Sequence, residues 1–306
     1  MSTILQKGVD PHAQTPPTKG SILVTGAPGT VGNKLVERFV ADGYDVRAIS
    51  KDRWVDPPVE SYLVDLRDLG QTVDAVAGYE TVIHLAAHSR PFVSRGQVFS
   101  DNLMSAFNVF WAAKLQGVKR VVWASSSHSG GQPFSIESLA EYPPAVFPIV
   151  ENHQYQAGDI YGLSKLAAES LLPHTRFWGD TEIVGLRMGF AYEVENYEFL
   201  YEADFPRVQA NPEERIANLW NYVDGRDVYQ AFKKAVDSTG NIGGEIMHIH
   251  AADTMMDIPT RELMAKYAPK VVVPEDLPEY GSAYSIARAR KILGYEPQYS
   301  WRDVLG

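Results

Sequence analysis

The sequence predicts an α/β protein built on a parallel sheet covered by helices. Short apolar runs alternate with helical patterns from Ser21 onward, which is the rhythm of such a sheet. The runs are almost continuously apolar, as strands buried on both faces must be. A glycine-rich turn, Gly26-Ala27-Pro28-Gly29-Thr30-Val31-Gly32, stands between the first strand and the first helix. In order, strands are expected at 21–26, 45–50, 62–65, 81–87, 120–126, 182–189 and 246–251. Helices are expected at 30–43, near 100–117, and at 161–177, 225–237, 260–268 and 284–293. The stretches 130–159 and 191–214, rich in Pro, acidic and aromatic residues, show no clear period and read as loops or a small lobe.

Composition narrows the function. The 306 residues, 45% of them hydrophobic and 24 of them glycine, can bury one large core, alone or with a smaller lobe. A formal charge of -10 argues against nucleic acid or an anionic membrane as partner, leaving a small polar molecule. The absence of cysteine removes disulfides, thiol nucleophiles and cysteine-ligated zinc together, and fits a reducing cytoplasm. Residues 1–20 carry Lys7, Asp10, Pro11, Pro16 and Pro17 and no signal-peptide core, so they are expected to form a flexible leader. No run approaches a membrane span.

Gly26, Gly29 and Gly32 follow a strand and open a helix, the context in which backbone N–H groups, here including those of Thr30 and Val31, approach a pyrophosphate. A dinucleotide is therefore expected. At the end of the second strand, where a carboxylate would bind the adenosine ribose of NAD, stands Ser50, followed by Lys51, Asp52 and Arg53. The two cations suit a 2′-phosphate and tilt the expectation toward NADP over NAD, while Asp52 could supply the carboxylate instead. Asp65 and Leu66 would lie near the adenine, and His84-Leu85-Ala86-Ala87 would admit the cofactor close to the backbone; both also suit plain strand-end packing. Asn102 reads as a helix-terminus polar group or a brace.

Tyr161 and Lys165 are spaced to share one face of a helix. Free tyrosine has a pKa of about 10, so roughly 0.1% is ionised at neutral pH, and a neighbouring cation favours the phenolate. Earlier in the chain, Val121-Val122-Trp123-Ala124 runs into Ser125-Ser126-Ser127-His128, placing hydroxyls at a strand's carboxyl end, where ligands bind. A serine there can polarise a substrate oxygen while the tyrosine moves the proton. His248 and His250 share a strand face without an evident third ligand, so no metal is expected.

These motifs, with Leu186-Arg187 and the tail Tyr284 to Pro297, resemble the extended short-chain dehydrogenase/reductase family, the NAD-dependent epimerase/dehydratase group. The resemblance implies a Rossmann-type doubly wound parallel sheet at 21–190, with 191–306 mainly a smaller C-terminal substrate lobe. It implies a triad of Ser126, Tyr161 and Lys165, in which the lysine lowers the pKa of the tyrosine and holds the nicotinamide ribose. Ser125 and Asn102 join the cofactor contacts, and a homodimer through the helices near Asn102 and Tyr161 is expected. Phe190 stands where nucleotide-sugar enzymes carry Asn, which argues against that substrate class. The uronate dehydrogenase branch is similar at Ser89, at Ser125 to His128, with Ser127 in place of an asparagine, and at Arg215 with Trp220. Ser89, Ser127, His128 and Arg215 are the implied substrate contacts. Hydride transfer at a hydroxyl or carbonyl of a sugar-like or uronate-like molecule is expected; the rivals are a sugar epimerase or dehydratase and a non-catalytic NAD(P)-binding regulator.

Overall fold

The computed structural model describes residues 19–89, 94–153, 157–192 and 197–305, without side chains at 197–203 and 304–305. The first 18 residues of the expected leader lie outside the described residues. The first half contains β1 (Ser21–Thr25), α1 (Thr30–Ala41), β2 (Asp45–Ser50), β3 (Ser61–Leu63), α2 (Leu69–Val76), β4 (Thr81–His84), α3 (Arg95–Gln116) and β5 (Arg120–Ser126). Then come α4 (Ile136–Glu141), α5 (Ile160–Glu169), α6 (Leu172–Thr175), β6 (Glu182–Met188), β7 (Ala191–Tyr192) and α7 (Tyr197–Ala210). The chain ends with β8 (Val223–Asp224), α8 (Gly225–Asp237), β9 (Ile246–Ile249), α9 (Thr260–Tyr267), α10 (Ala287–Leu293) and α11 (Arg302–Leu305).

The main sheet has seven strands in the order β3-β2-β1-β4-β5-β6-β9. β1 pairs in parallel with both β2 and β4, so the order reverses between β1 and β4. Such a reversal opens a crevice beyond the carboxyl ends of the two strands, where the chains leave in opposite directions. This is the doubly wound parallel sheet expected from the alternating pattern.

The chain divides into two compact units, each assembled from three segments. The first takes the described residues up to Ala124, with Ser164–Gly185 and Ala235–Glu245; the second takes Ser125–Leu163, Leu186–Lys234 and the described residues from Ile246. In the first unit Ile22, Leu23, Val24, Val36, Phe39, Val82, Ile83, Val109 and Phe110 are buried, and Phe110 meets Trp123 edge-on with centroids 5.6 Å apart. In the second, the core gathers Tyr192, Phe205, Trp220, Tyr222, Met255, Met264, Tyr284 and Trp301.

Several elements differ from expectation. The segment 161–177 is two helices, α5 and α6, separated at Ser170 and Leu171, with Pro173 in the first turn of α6, where a missing N–H costs nothing. Strand β4 ends at His84, short of 87. The stretch 191–214, read as loops or a small lobe, contains α7, which has almost no amphipathic pattern and carries Pro206 internally. The stretch 130–159, read the same way, contains α4, opened by a reciprocal Ser135–Ser138 capping box. Among the described residues no helix is long and apolar enough to cross a membrane.

Candidate active site

In the first unit the crevice is lined by the glycine turn. The register that sets Thr25 opposite His84 brings Thr25 Oγ1 within 2.7 Å of His84 Nδ1, and Thr25 Oγ1 accepts from Ala86 N at 3.2 Å. Gly26 lies on the first turn after β1 with φ of +68°, and a Cβ there would sit 2.7 Å from the Ala86 backbone. Only glycine meets both demands. Gly29 is the N-cap of α1 without a side-chain cap, and Gly29 and Thr30 are exposed. An uncapped helix start has the donors and the dipole that a phosphate needs. These features fit a dinucleotide, whose pyrophosphate would be held by Gly29, Thr30, Val31 and Gly32.

Of the other expected cofactor residues, Ser50, Lys51, Asp65, Leu66, Leu85, Ala86, Ala87 and Asn102 lie in the first unit and Ser125 in the second. Ser50 Oγ accepts from Asp52 N at 3.1 Å, and Lys51 and Arg53 are exposed. Asp65 pairs with Arg67 at 2.7 Å, and that hydrogen bond holds its carboxyl below the ordinary range despite burial. Leu66 is buried, its carbonyl accepting from Asn108 Nδ2 at 2.9 Å. Leu85 and Ala86 are partly buried, Ala87 is exposed and Ser125 is buried. Asn102 acts as a brace: Oδ1 accepts from His88 N at 2.7 Å, and Nδ2 donates to His88 O at 3.2 Å and to Ser164 Oγ at 3.1 Å. His88 itself meets Asp101 at 3.0 Å, and Ser89 is exposed.

Helix α5 carries Tyr161 in its first turn and Lys165 one turn on. Lys165 belongs to the first unit, where Nζ donates to Ala124 O at 2.7 Å and lies 5.0 Å from the Trp123 ring centroid. Its burial pushes the ammonium down to about 7, with Glu169 acting in the opposite direction. Burial, with Lys165 adding to it, pushes His84 down to about 3, so this imidazole is neutral.

Tyr161 belongs to the second unit together with Ser126. Ser126 Oγ accepts from His128 N at 3.2 Å and hydrogen-bonds the phenol of Tyr161. That bond acts to lower the phenol pKa. Burial nevertheless dominates and raises Tyr161 to about 12, with Asp159 adding to it. The net shift runs opposite to the lowering expected from the lysine spacing.

Two neighbours fall outside the site motifs: Asp159, unremarked in the sequence, and His250, noted there only as one of two histidines on a strand face. Asp159 caps α5 by accepting from Gly162 N at 2.6 Å, and its other oxygen lies 2.8 Å from His128 Nδ1. Burial alone would raise this carboxyl, but the two hydrogen bonds keep it below its ordinary value. His128 thus donates through Nδ1, and its ring meets Tyr161 edge-on at 5.5 Å. Asp159 is an N-cap residue of the ordinary kind, and its place just ahead of the helix was the available signal. The second neighbour is His250. Ser127 is buried and turned inward, Oγ lying 3.0 Å from Met188 O and 3.2 Å from His250 Nε2, while His250 Nδ1 meets Asn221 Oδ1 at 3.0 Å. A Cβ on Gly189 would fall 2.6 Å from both Asn221 Oδ1 and His250 Nδ1, so this glycine clears space for the pair. Arg215 meets Asp204 at 3.1 Å and lies over Phe190.

The sequence profile of the NAD dependent epimerase/dehydratase family matches residues 22–249. Among curated proteins, the chain is 29% identical over 229 residues to an L-arabinose 1-dehydrogenase (NAD(P)(+)) of Haloferax volcanii, covering 71% of this chain and 83% of that protein. It is 30% identical over 186 residues to a uronate dehydrogenase of Agrobacterium fabrum, covering 58% and 64% respectively. A short-chain dehydrogenase/reductase superfamily protein from Agrobacterium tumefaciens, solved with bound NAD, superposes with a TM-score of 0.67 at 24% identity, over 93% of this chain and 94% of that one. At that identity the superposition speaks for the fold alone. Three quarters of the chain fall within the family profile, and on that ground this protein belongs to the NAD dependent epimerase/dehydratase family.

Proposed function

We propose that the protein is an NAD(P)-dependent oxidoreductase that transfers a hydride to or from a hydroxyl or carbonyl carbon of a small, sugar-like molecule. The hydrogen bond between Ser126 and the Tyr161 phenol carries this reading, because it joins an oxygen-polarising hydroxyl to an acid–base group at the carboxyl end of β5. When bound, the nicotinamide accepts or supplies the hydride. Ser126 holds the reacting oxygen, and Tyr161 takes the hydroxyl proton in oxidation and returns it in reduction. Lys165 orients the ribose and supplies positive charge. His128, oriented by Asp159, presents Nε2 to a substrate hydroxyl. A relative that is an L-arabinose 1-dehydrogenase supports a sugar as substrate.

The test is a nicotinamide absorbance screen over aldoses, uronates and simple alcohols, with NAD and NADP separately. Oxidation of a free sugar supports the proposal. Sugar interconversion without net absorbance change would identify an epimerase, and turnover of nucleotide sugars alone would sink the reading.

NADP is the assigned cofactor over NAD, because Ser50 ends β2 without a carboxylate and exposed Lys51 and Arg53 follow it. In Lys51→Glu the KM for NADP is expected to rise about tenfold, the size of one charge-assisted contact, while that for NAD changes little. A homodimer is supported by the outer face of α3, where exposed Met104 and Leu115 flank Phe107 and Trp111, and Trp111 meets Trp178 edge-on at 5.3 Å. A cysteine-free chain supports placement in the cytoplasm.

A further inference from the structure

The second unit carries a charge arrangement that bears on which sugar this site accepts. Beyond the end of β6 stands Phe190, 46% exposed. Ser127 Oγ holds Met188 O at 3.0 Å, so this stretch lies at the same end of the sheet as Ser126, where ligands bind. The Arg215 guanidinium lies 4.7 Å from the Phe190 ring centroid. Its charge is already matched: Arg215 donates to Asp204 Oδ2 at 3.1 Å, with both side chains 21% exposed. The other oxygen of Asp204 accepts from Arg207 at 2.7 Å, and Arg207 also pairs with Glu214. Among the described residues the cluster therefore holds two arginines and two carboxylates, with no net charge.

We propose that Asp204, by neutralising Arg215 over Phe190, makes the site selective for an uncharged polyhydroxy substrate and excludes uronates. The inference rests on the oxidoreductase reading above and narrows its substrate. A substrate carboxylate reaching Arg215 meets the Asp204 carboxylate on the same guanidinium, so it gains little attraction and meets a like charge in a partly desolvated place. A neutral sugar has no such conflict. Its hydroxyls can accept from the remaining guanidinium N–H groups and donate to the carboxylate, while its C–H face rests on the exposed Phe190 ring. Asp204 acts through Arg215 and is a positioning residue.

The experiment compares kcat/KM, in the cofactor-saturated enzyme, for the matched pairs D-galactose with D-galacturonate and D-glucose with D-glucuronate, in which only the carbon-6 group differs. The wild type is expected to favour the neutral member of a pair. In Asp204→Asn the ratio should move toward the uronate by about tenfold or more, the worth of one freed charge-assisted contact. The change should come through KM and shrink as ionic strength rises. Asp204→Glu should keep the wild-type preference, and Asp204→Asn with Arg215→Gln should lose the gain, neither of which a merely structural role would produce. A wild type that prefers the uronate overturns the inference without any variant, as does an unchanged ratio in a folded Asp204→Asn protein. If no sugar of the set is oxidised with either cofactor, the oxidoreductase reading fails and the inference with it; if sugars are oxidised and the ratio stays fixed, the inference alone fails.

Discussion

Tyr161→Phe should lower kcat by about 10²–10⁴-fold, the range that a positioned acid–base group supplies, with the protein still folded. The substitution removes one hydroxyl and leaves the ring against His128. The phenol is raised to about 12 by burial, against the hydrogen bond with Ser126, so it is protonated across the physiological range. That state is ready for reduction, in which the phenol donates, and unready for oxidation, in which the phenolate must accept. The wild-type rate of hydroxyl oxidation should therefore climb with pH toward the phenol pKa, while carbonyl reduction should show no such climb. In Tyr161→Phe the climb should disappear. Steady-state kinetics in both directions from pH 6 to 10 check this, and a variant that keeps the rise would assign the base elsewhere. Ser126→Ala should weaken the same step, since its hydroxyl is the group pulling the phenol downward.

Much of this site was legible because it is written in short-range pattern. A glycine turn between strand and helix, a run of apolar residues ending in hydroxyls, and a tyrosine one turn before a lysine each carry their geometry locally. What escaped depends on distance along the chain. Nothing at Asp159 says that it meets His128, 31 positions earlier, and nothing at Asp204 says that Arg215 arrives 11 positions later. The lost α7 has a physical cause, since Pro206 and an unpatterned acidic and aromatic composition remove the usual helix signals. The inward turn of Ser127 could not be read from strand alternation, because β5 ends at Ser126 and Ser127 opens a short 3-10 helix. Nor could the direction of the Tyr161 shift, because burial is a property of the folded surroundings and outweighs a spacing on one helix.

Lys165→Met should separate catalysis from stability and move them in opposite directions. Activity should fall by about 10²-fold or more, the usual cost of losing an electrostatic stabiliser in a water-poor site, because methionine neither carries charge nor hydrogen-bonds. Stability should rise at low pH. Lys165 is only 3% exposed, with Trp123 beneath it and Nζ donating to Ala124 O at 2.7 Å. Burial lowers it from 10.5 to about 7, with buried Glu169 opposing. Between those values the unfolded chain binds a proton that the folded chain does not, so stability increases with pH across that window. Below about pH 7 the folded protein carries the full cost of a buried ammonium, which an apolar side chain of similar length avoids. The unfolding midpoint of Lys165→Met should thus exceed that of the wild type at pH 6, and the gap should narrow as pH rises from 7 toward 10. Denaturant melts at four or five pH values measure it. A gap that stays constant or widens with pH would mean that Lys165 is not held down by its burial.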